Sequence, residues 1–211
     1  MFKKITRLKA TMSKTIDYFL VPQSPWTYFG HARLVHMAAQ AGATVRLKPM
    51  DLGKIFPLTG GLPVGQRSAQ RQAYRLIELK RFADHLNMPL HLHPQFFPVA
   101  GDDAAKLLIA VNQHDGADAA MRLCGAVLAA VWAQQRNIAD PLVLAELLTE
   151  QHLDTARLSQ AASASVQSIY EANTDEALQL GVFGAPAYVC DGELFWGQDR
   201  LEFLQRRLQA A

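Results

Sequence analysis

The chain has 211 residues, half of them hydrophobic and 19% charged, with a formal net charge of +2. That length suits one generous domain or a small domain carrying a large insertion. The near-neutral charge gives no electrostatic case for nucleic acid or a membrane surface as partner, and no run approaches the roughly 18 apolar residues that span a bilayer. A globular protein that handles a small molecule is expected. Residues 1–13 carry Lys3, Lys4, Arg7 and Lys9 without the apolar core of a secretory signal. They read as a frayed extension, with a cytoplasmic location for the protein. The two cysteines, Cys124 and Cys190, belong to no metal-spaced or redox pattern and are expected as buried thiols.

In chain order, Ile16 to Leu20 is a β-branched and aromatic run suited to a strand, and a helix is expected from Pro25 to the glycine stop at Gly42. Ser24 stands at the N-cap with Pro25 at the first helical position, where a missing amide proton costs nothing. A hydroxyl is thereby fixed beside free backbone N–H groups and the positive end of a helix dipole, which favours an anion. Ala43 to Lys48 supplies a second strand, and strand, helix and strand imply a right-handed parallel crossover. The stretch Leu52 to Gly65 holds four glycines and two prolines and reads as a loop, a pocket wall or lid.

Helical periodicity follows in blocks: Ser68 to Leu86, Asp102 to His114, Ala117 to Arg136, Asp140 to His152 and Ser165 to Leu180, with an extended stretch from His91 to Pro98. His91 and His93 lack a third ligand at suitable spacing, so no metal site is expected. Cys124 and Trp132 read as core residues of their helix. Strand character returns at Ala187 to Cys190. Asp191-Gly192 is a strong two-residue hairpin signal, Leu194 to Trp196 makes the return strand, and Asp199 reads as the cap of a last amphipathic helix. The fold class is therefore α/β. Residues 14–50 and 181–211 form the βαβ and ββα halves of a thioredoxin-like core, and residues 51–180 form a large all-helical insertion between them.

Three separated motifs carry a resemblance: Ser24-Pro25-Trp26-Thr27-Tyr28, Val182-Phe183-Gly184-Ala185-Pro186, and Phe195-Trp196-Gly197-Gln198-Asp199-Arg200-Leu201. Their order and surroundings resemble the 2-hydroxychromene-2-carboxylate isomerases and kappa-class glutathione transferases, a DsbA-like group of the thioredoxin fold. Redox members of the wider fold hold Cys-x-x-Cys at the first motif. Ser24 and Thr27 occupy those positions here, so dithiol exchange is impossible at this turn. The resemblance implies glutathione as cofactor, a cis bond at Ala185-Pro186 with a peptide edge for the tripeptide, and a γ-glutamyl site at Gln198, Asp199 and Arg200. Trp26 joins the cofactor-side residues, and Arg71 lies near a basic glutathione contact of the kappa enzymes.

Ser24 would donate a hydrogen bond to the glutathione sulfur. A free thiol with pKa near 8.5 is only about 3% thiolate at neutral pH. One hydrogen bond to the charged form, worth roughly 1.5–3 kcal/mol, and roughly 0.3–1 kcal/mol from the helix terminus raise that to about a quarter to three quarters. Arg67, Arg71, Tyr74 and Arg75 fall on one helical face, either a solvated basic face or a carboxylate clamp, with Arg67, Tyr74 and Arg75 as substrate-binding candidates. Asn173 and Thr174 also match a recurrent family feature. The chain departs from many isomerases at Leu20-Val21-Pro22-Gln23, where an acidic residue is usual, and at Gln95-Phe96-Phe97-Pro98, where a substrate-loop asparagine is not recognisable.

The resemblance implies an isomerase of aromatic-compound catabolism, acting on a 2-hydroxychromene-2-carboxylate or benzylidenepyruvate type of substrate, and a homodimer. A kappa-like transferase that releases a glutathione conjugate, and a thioredoxin-fold binding protein without turnover, are the alternatives.

Overall fold

The computed structural model describes residues 13–210. The extension expected over residues 1–13 thus lies outside the described residues except for Ser13, whose hydroxyl donates to the Gly42 carbonyl at 2.7 Å. Four strands, β1 (Thr15–Leu20), β2 (Thr44–Pro49), β3 (Ala187–Cys190) and β4 (Glu193–Trp196), form one sheet in the order β2-β1-β3-β4. β1 pairs parallel with β2 and antiparallel with β3, and β3 pairs antiparallel with β4. The βαβ and ββα halves read from the sequence are both present.

Local chemistry explains several boundaries. Helix α1 (Pro25–Ala41) begins at Ser24, whose Oγ accepts the Thr27 N–H at 3.2 Å, and ends at Gly42 in the left-handed conformation that glycine adopts at little cost. The β3–β4 hairpin turns through Asp191 and Gly192, both at positive φ, as an Asp-Gly pair favours. Strand periodicity sorts the sheet's two faces. Ile16, Tyr18, Leu20, Tyr188 and Cys190 enter the main core, whereas Phe19, Ala187 and Val189 enter a smaller one.

The stretch expected as a loop over Leu52–Gly65 is instead a helix, α2 (Leu52–Thr59), followed by a 3-10 turn at Val64–Gln66. Asp51 Oδ1 caps α2 by accepting the Gly53 N–H at 2.7 Å, and fully buried Ile55 anchors it in the smaller core. Capping and burial here outweigh the local penalties of Gly53 and Pro57. The remaining helices are α3 (Ala69–Leu86), α4 (Asp102–Asp115), α5 (Ala117–Trp132), α6 (Pro141–Glu150), α7 (Arg157–Ala161), α8 (Ala164–Gln179) and α9 (Leu201–Gln209). α5 stops at Trp132, not at Arg136, and the short α7 has no counterpart in the sequence reading.

The helical stretch is not a separate layer. α4 and α5 pack on β2 and α5 packs on α1, so that Tyr18 and Phe29 share one continuous core with Leu107, Leu123 and Trp132. α8 and α2 cover the other face. Among the described residues no helix is long and apolar enough to cross a membrane.

Candidate active site

Ser24 lies at the C-terminal end of β1, on the turn into α1, and is 8% exposed. Its oxygen accepts the Thr27 N–H, which uses lone-pair capacity and leaves the hydroxyl proton free to donate. Thr27, at the place of the second cysteine of Cys-x-x-Cys, is fully buried, and its Oγ1 has no hydrogen-bond partner.

The second motif arrives beside the first because β3 pairs with β1. The Ala185-Pro186 bond is cis, as the resemblance implied. Neither the N–H nor the C=O of Ala185 pairs with another backbone group among the described residues, so a peptide edge is open there. Pro186 is buried, and its carbonyl accepts the Gly197 N–H at 2.9 Å, tying the second motif to the third.

In the third motif Gly197 has φ +102°, and a 3-10 turn at Gln198–Arg200 leads into α9. Asp199 does not cap that helix, in contrast to the sequence reading. Its carboxylate instead accepts the Arg200 guanidinium at 2.6 Å, and both side chains are exposed. Gln198 is buried, and its Oε1 accepts Arg33 Nη1 at 2.8 Å, so the side chain braces the turn from inside. Trp26 is partly buried, packing edge-on against Phe82 at 5.8 Å and beside Phe29.

The four α3 candidates do not form a single face. Arg67 precedes the helix, donating Nε–H to the Leu62 carbonyl at 2.9 Å. Arg71 and Tyr74 are exposed. Arg75 is turned inward and 9% exposed, with its guanidinium 5.3 Å from the Phe97 ring centre and 5.8 Å from that of Trp132.

Trp132 therefore does more than fill the core: its Nε1–H donates to the Gln23 carbonyl at 3.3 Å, one residue before Ser24. The reading of Trp132 as a core residue of its helix gives no sign of this bond, which α5 makes across 109 residues. Asn173 and Thr174 on α8 hold the β2–α2 connection, through Pro49 O at 3.1 Å and the Asp51 N–H at 3.0 Å.

A cavity of ≈ 230 Å³ opens beside the turn, between Val21–Gln23, Met50–Gly53, Ala100–Asp102 and Tyr170. The Gln23 carboxamide oxygen is buried at its edge without a partner, against Gly101. A larger open cleft of ≈ 520 Å³ lies at the other end of β1, but it contains no motif residue. Its Lys14 and Asp191 pair with each other, as do Arg46 and Asp17. Cys124 and Cys190 are free and buried, and burial raises both thiol pKa values, which disfavours the thiolate.

The DsbA-like thioredoxin domain model matches residues 15–209, nearly the whole described chain. The chain belongs to the DsbA-like thioredoxin family. Within it, the chain is 28% identical over 199 residues to a 2-hydroxychromene-2-carboxylate isomerase of Sphingobium xenophagum, covering 93% of this chain and 99% of that one. A kappa 2 glutathione S-transferase of Caenorhabditis elegans is 25% identical, covering 89% and 88%.

A solved 2-hydroxychromene-2-carboxylate isomerase superposes with a TM-score of 0.74 at 22% identity, covering 92% of this chain and 94% of that one. The cytosolic disulfide reductase DsbM of Pseudomonas aeruginosa, solved with GSH, gives 0.66 at 20% identity, covering 93% and 100%. These likenesses show that the family's fold is shared. The family resemblance read from Ser24, Ala185-Pro186 and Gly197–Arg200 is thus met by relatives of the isomerase and kappa groups over most of the chain.

Proposed function

We propose that the protein is a glutathione-dependent isomerase acting on an aromatic 2-hydroxychromene-2-carboxylate or benzylidenepyruvate type of substrate. Its kinship with the isomerases supports the reaction class. The observation that carries the chemistry is the unspent proton of Ser24, at a helix N-terminus and beside the open peptide edge of Ala185. The residues present fit the tripeptide. Ser24 would face its sulfur, Ala185 its backbone, Asp199 and Arg200 its γ-glutamyl end, and exposed Arg71 its glycyl carboxylate. Trp26 and Gln198 are better read as the frame that fixes α1 and the 3-10 turn than as direct contacts.

When bound, glutathione supplies a thiolate that adds reversibly to a conjugated carbon, permits rotation and leaves unchanged. Ser24 stabilises the ionised sulfur by donating its O–H, an interaction made with the charged form and lost with the neutral one. The backbone N–H groups of the first α1 turn add the positive end of the helix dipole. The Thr27 N–H fixes the rotamer of Ser24 by binding its Oγ, so the donor is aimed before any ligand arrives.

Ser24→Ala is the direct test. It should raise the pKa of the bound thiol by about one to two units in an ultraviolet pH titration, and lower kcat/KM about tenfold to a hundredfold. Equal isomerisation rates with and without glutathione would rule out the thiol role. The kappa relative favours transfer as the second reading. Mass analysis separates the two, because only a transferase leaves glutathione attached to the product. The homodimer expected by resemblance is checked by light scattering.

A further inference from the structure

Arg75 is the one buried arginine among the described residues. The half-buried guanidiniums of Arg33, Arg67, Arg136 and Arg157 have acceptors: the Gln198 side chain, the Leu62 carbonyl, Glu146 with Glu150, and Asp115. Arg75 has no hydrogen-bond or ion-pair partner among the described residues, and the charge that acts on it is the like charge of Arg67. Burial and that repulsion pull its pKa down to about 10, which leaves it charged at neutral pH.

The Phe97 and Trp132 rings, themselves 4.8 Å apart, lie against the guanidinium. Such stacking uses the faces of the groups and leaves the in-plane N–H donors unspent. Those nitrogens are not sealed from solvent, so the donors keep some exposure. A buried cation with free donors and no anion destabilises a fold unless an anion arrives from outside.

Position narrows the choice of anion. α1 has two flanks. The Gln198–Arg200 turn and α9 pack on one, on the side of β3 and β4, whereas α5 and α3 pack on the other, with α5 also touching β2. Of the residues assigned to glutathione, Asp199 and Arg200 lie on the first flank, whereas Arg71, assigned to its glycyl carboxylate, lies on α3 with Arg75 but is exposed. Arg75 lies on the second, linked to the residue before Ser24 by the Trp132–Gln23 hydrogen bond.

We propose that Arg75, backed by Phe97 and Trp132, anchors the carboxylate of the organic substrate, and that the two rings select an aromatic acid. The carboxylate site stands on the geometry alone; naming its occupant as substrate rests on the isomerase reading above. The glycyl carboxylate of glutathione offers the same chemistry, so the test must tell the two apart.

Calorimetric titrations of the full chain with cinnamate, with cinnamyl alcohol and with glutathione would be run on wild type, Arg75→Gln and Arg75→Met. The expected result is that both variants bind cinnamate about tenfold or more weaker, while cinnamyl alcohol and glutathione bind within twofold of wild type. In turnover, KM for a carboxylate substrate should rise with kcat little changed.

Equal cinnamate affinity in wild type and both variants overturns the proposal. So does a loss of glutathione affinity with cinnamate binding intact, which would assign Arg75 to the tripeptide. Failure of both variants to fold would make Arg75 a structural residue, with the same consequence. Arg75-dependent cinnamate binding by a wild type that has no affinity for glutathione would support the site and remove the cofactor reading instead.

Discussion

His31 sits on α1 with 6% of its surface exposed, between the Met121 carbonyl, 2.9 Å from Nε2, and the Tyr18 hydroxyl, 3.4 Å from Nδ1. A carbonyl can only accept, so Nε2 carries the proton and Nδ1 is left to accept from Tyr18, an arrangement open to the neutral ring. Burial is the larger influence and lowers the pKa to about 4, against the opposing effect of the Met121 hydrogen bond. Between pH 6.5 and 4 the unfolded chain therefore binds a proton that the folded chain refuses, and stability falls as pH falls. The window of about 2.5 units corresponds to about 3 kcal/mol. Urea melts of wild type between pH 7 and 4.5 should show this loss, and His31→Gln should show a shallower dependence over the same range. Equal slopes would mean that His31 is not the group responsible. Ser24 and Arg75 illustrate the opposite economy: each keeps a donor unspent, which costs the folded chain something and is what the proposed ligands would offset.

The placement of α1 depends on how closely it approaches the sheet. A Cβ on Gly30 would stand 2.6 Å from the Tyr188 hydroxyl and 3.0 Å from Gln198 Cβ. Neither can withdraw easily, since Tyr188 is fully buried and stacked 5.4 Å from Tyr18, and Gln198 is pinned by Arg33. Alanine is the better helix former by about 1 kcal/mol, yet Gly30→Ala is expected to destabilise by about 1–3 kcal/mol through overpacking. The Tyr188 hydroxyl also has no hydrogen-bond partner. Tyr188→Phe should therefore be nearly neutral by itself and should recover part of the Gly30→Ala loss, leaving the share due to Gln198. Denaturant melts of the two single variants and the double variant measure that coupling. A fully additive double variant would sink the account. Because the same contact sets the distance between Ser24 and the Gly197–Arg200 turn, Gly30→Ala should also weaken glutathione binding.

At the scale of the molecule, one core joins β1 and α1 to α4, α5 and α6, so the helical stretch cannot come away without exposing the sheet. Leu108→Ala, at a fully buried position in α4, should cost about 2–5 kcal/mol and shift a single unfolding transition followed by circular dichroism and by tryptophan fluorescence. Two separated transitions would show that residues 51–180 unfold on their own.

The sequence by itself determined where most elements begin and end, because those cues are local: Ser24-Pro25, Ser68 and Asp140-Pro141 open helices, Gly42 closes one, and Asp191-Gly192 turns the hairpin. The three motifs at Ser24, Ala185-Pro186 and Gly197–Arg200 were legible for the same reason, each being a short run with its own backbone requirement. Only the tertiary structure decided that Leu52–Thr59 is helical, since the burial of Ile55 comes from distant residues. It alone separated Arg75 from Arg71, one turn apart on α3, by laying Phe97 and Trp132 over one and leaving the other in solvent. A guanidinium's surroundings are set by whatever the chain brings back over it. For Arg75 that cover arrives from Phe97, in the connection between α3 and α4, and from Trp132 at the end of α5.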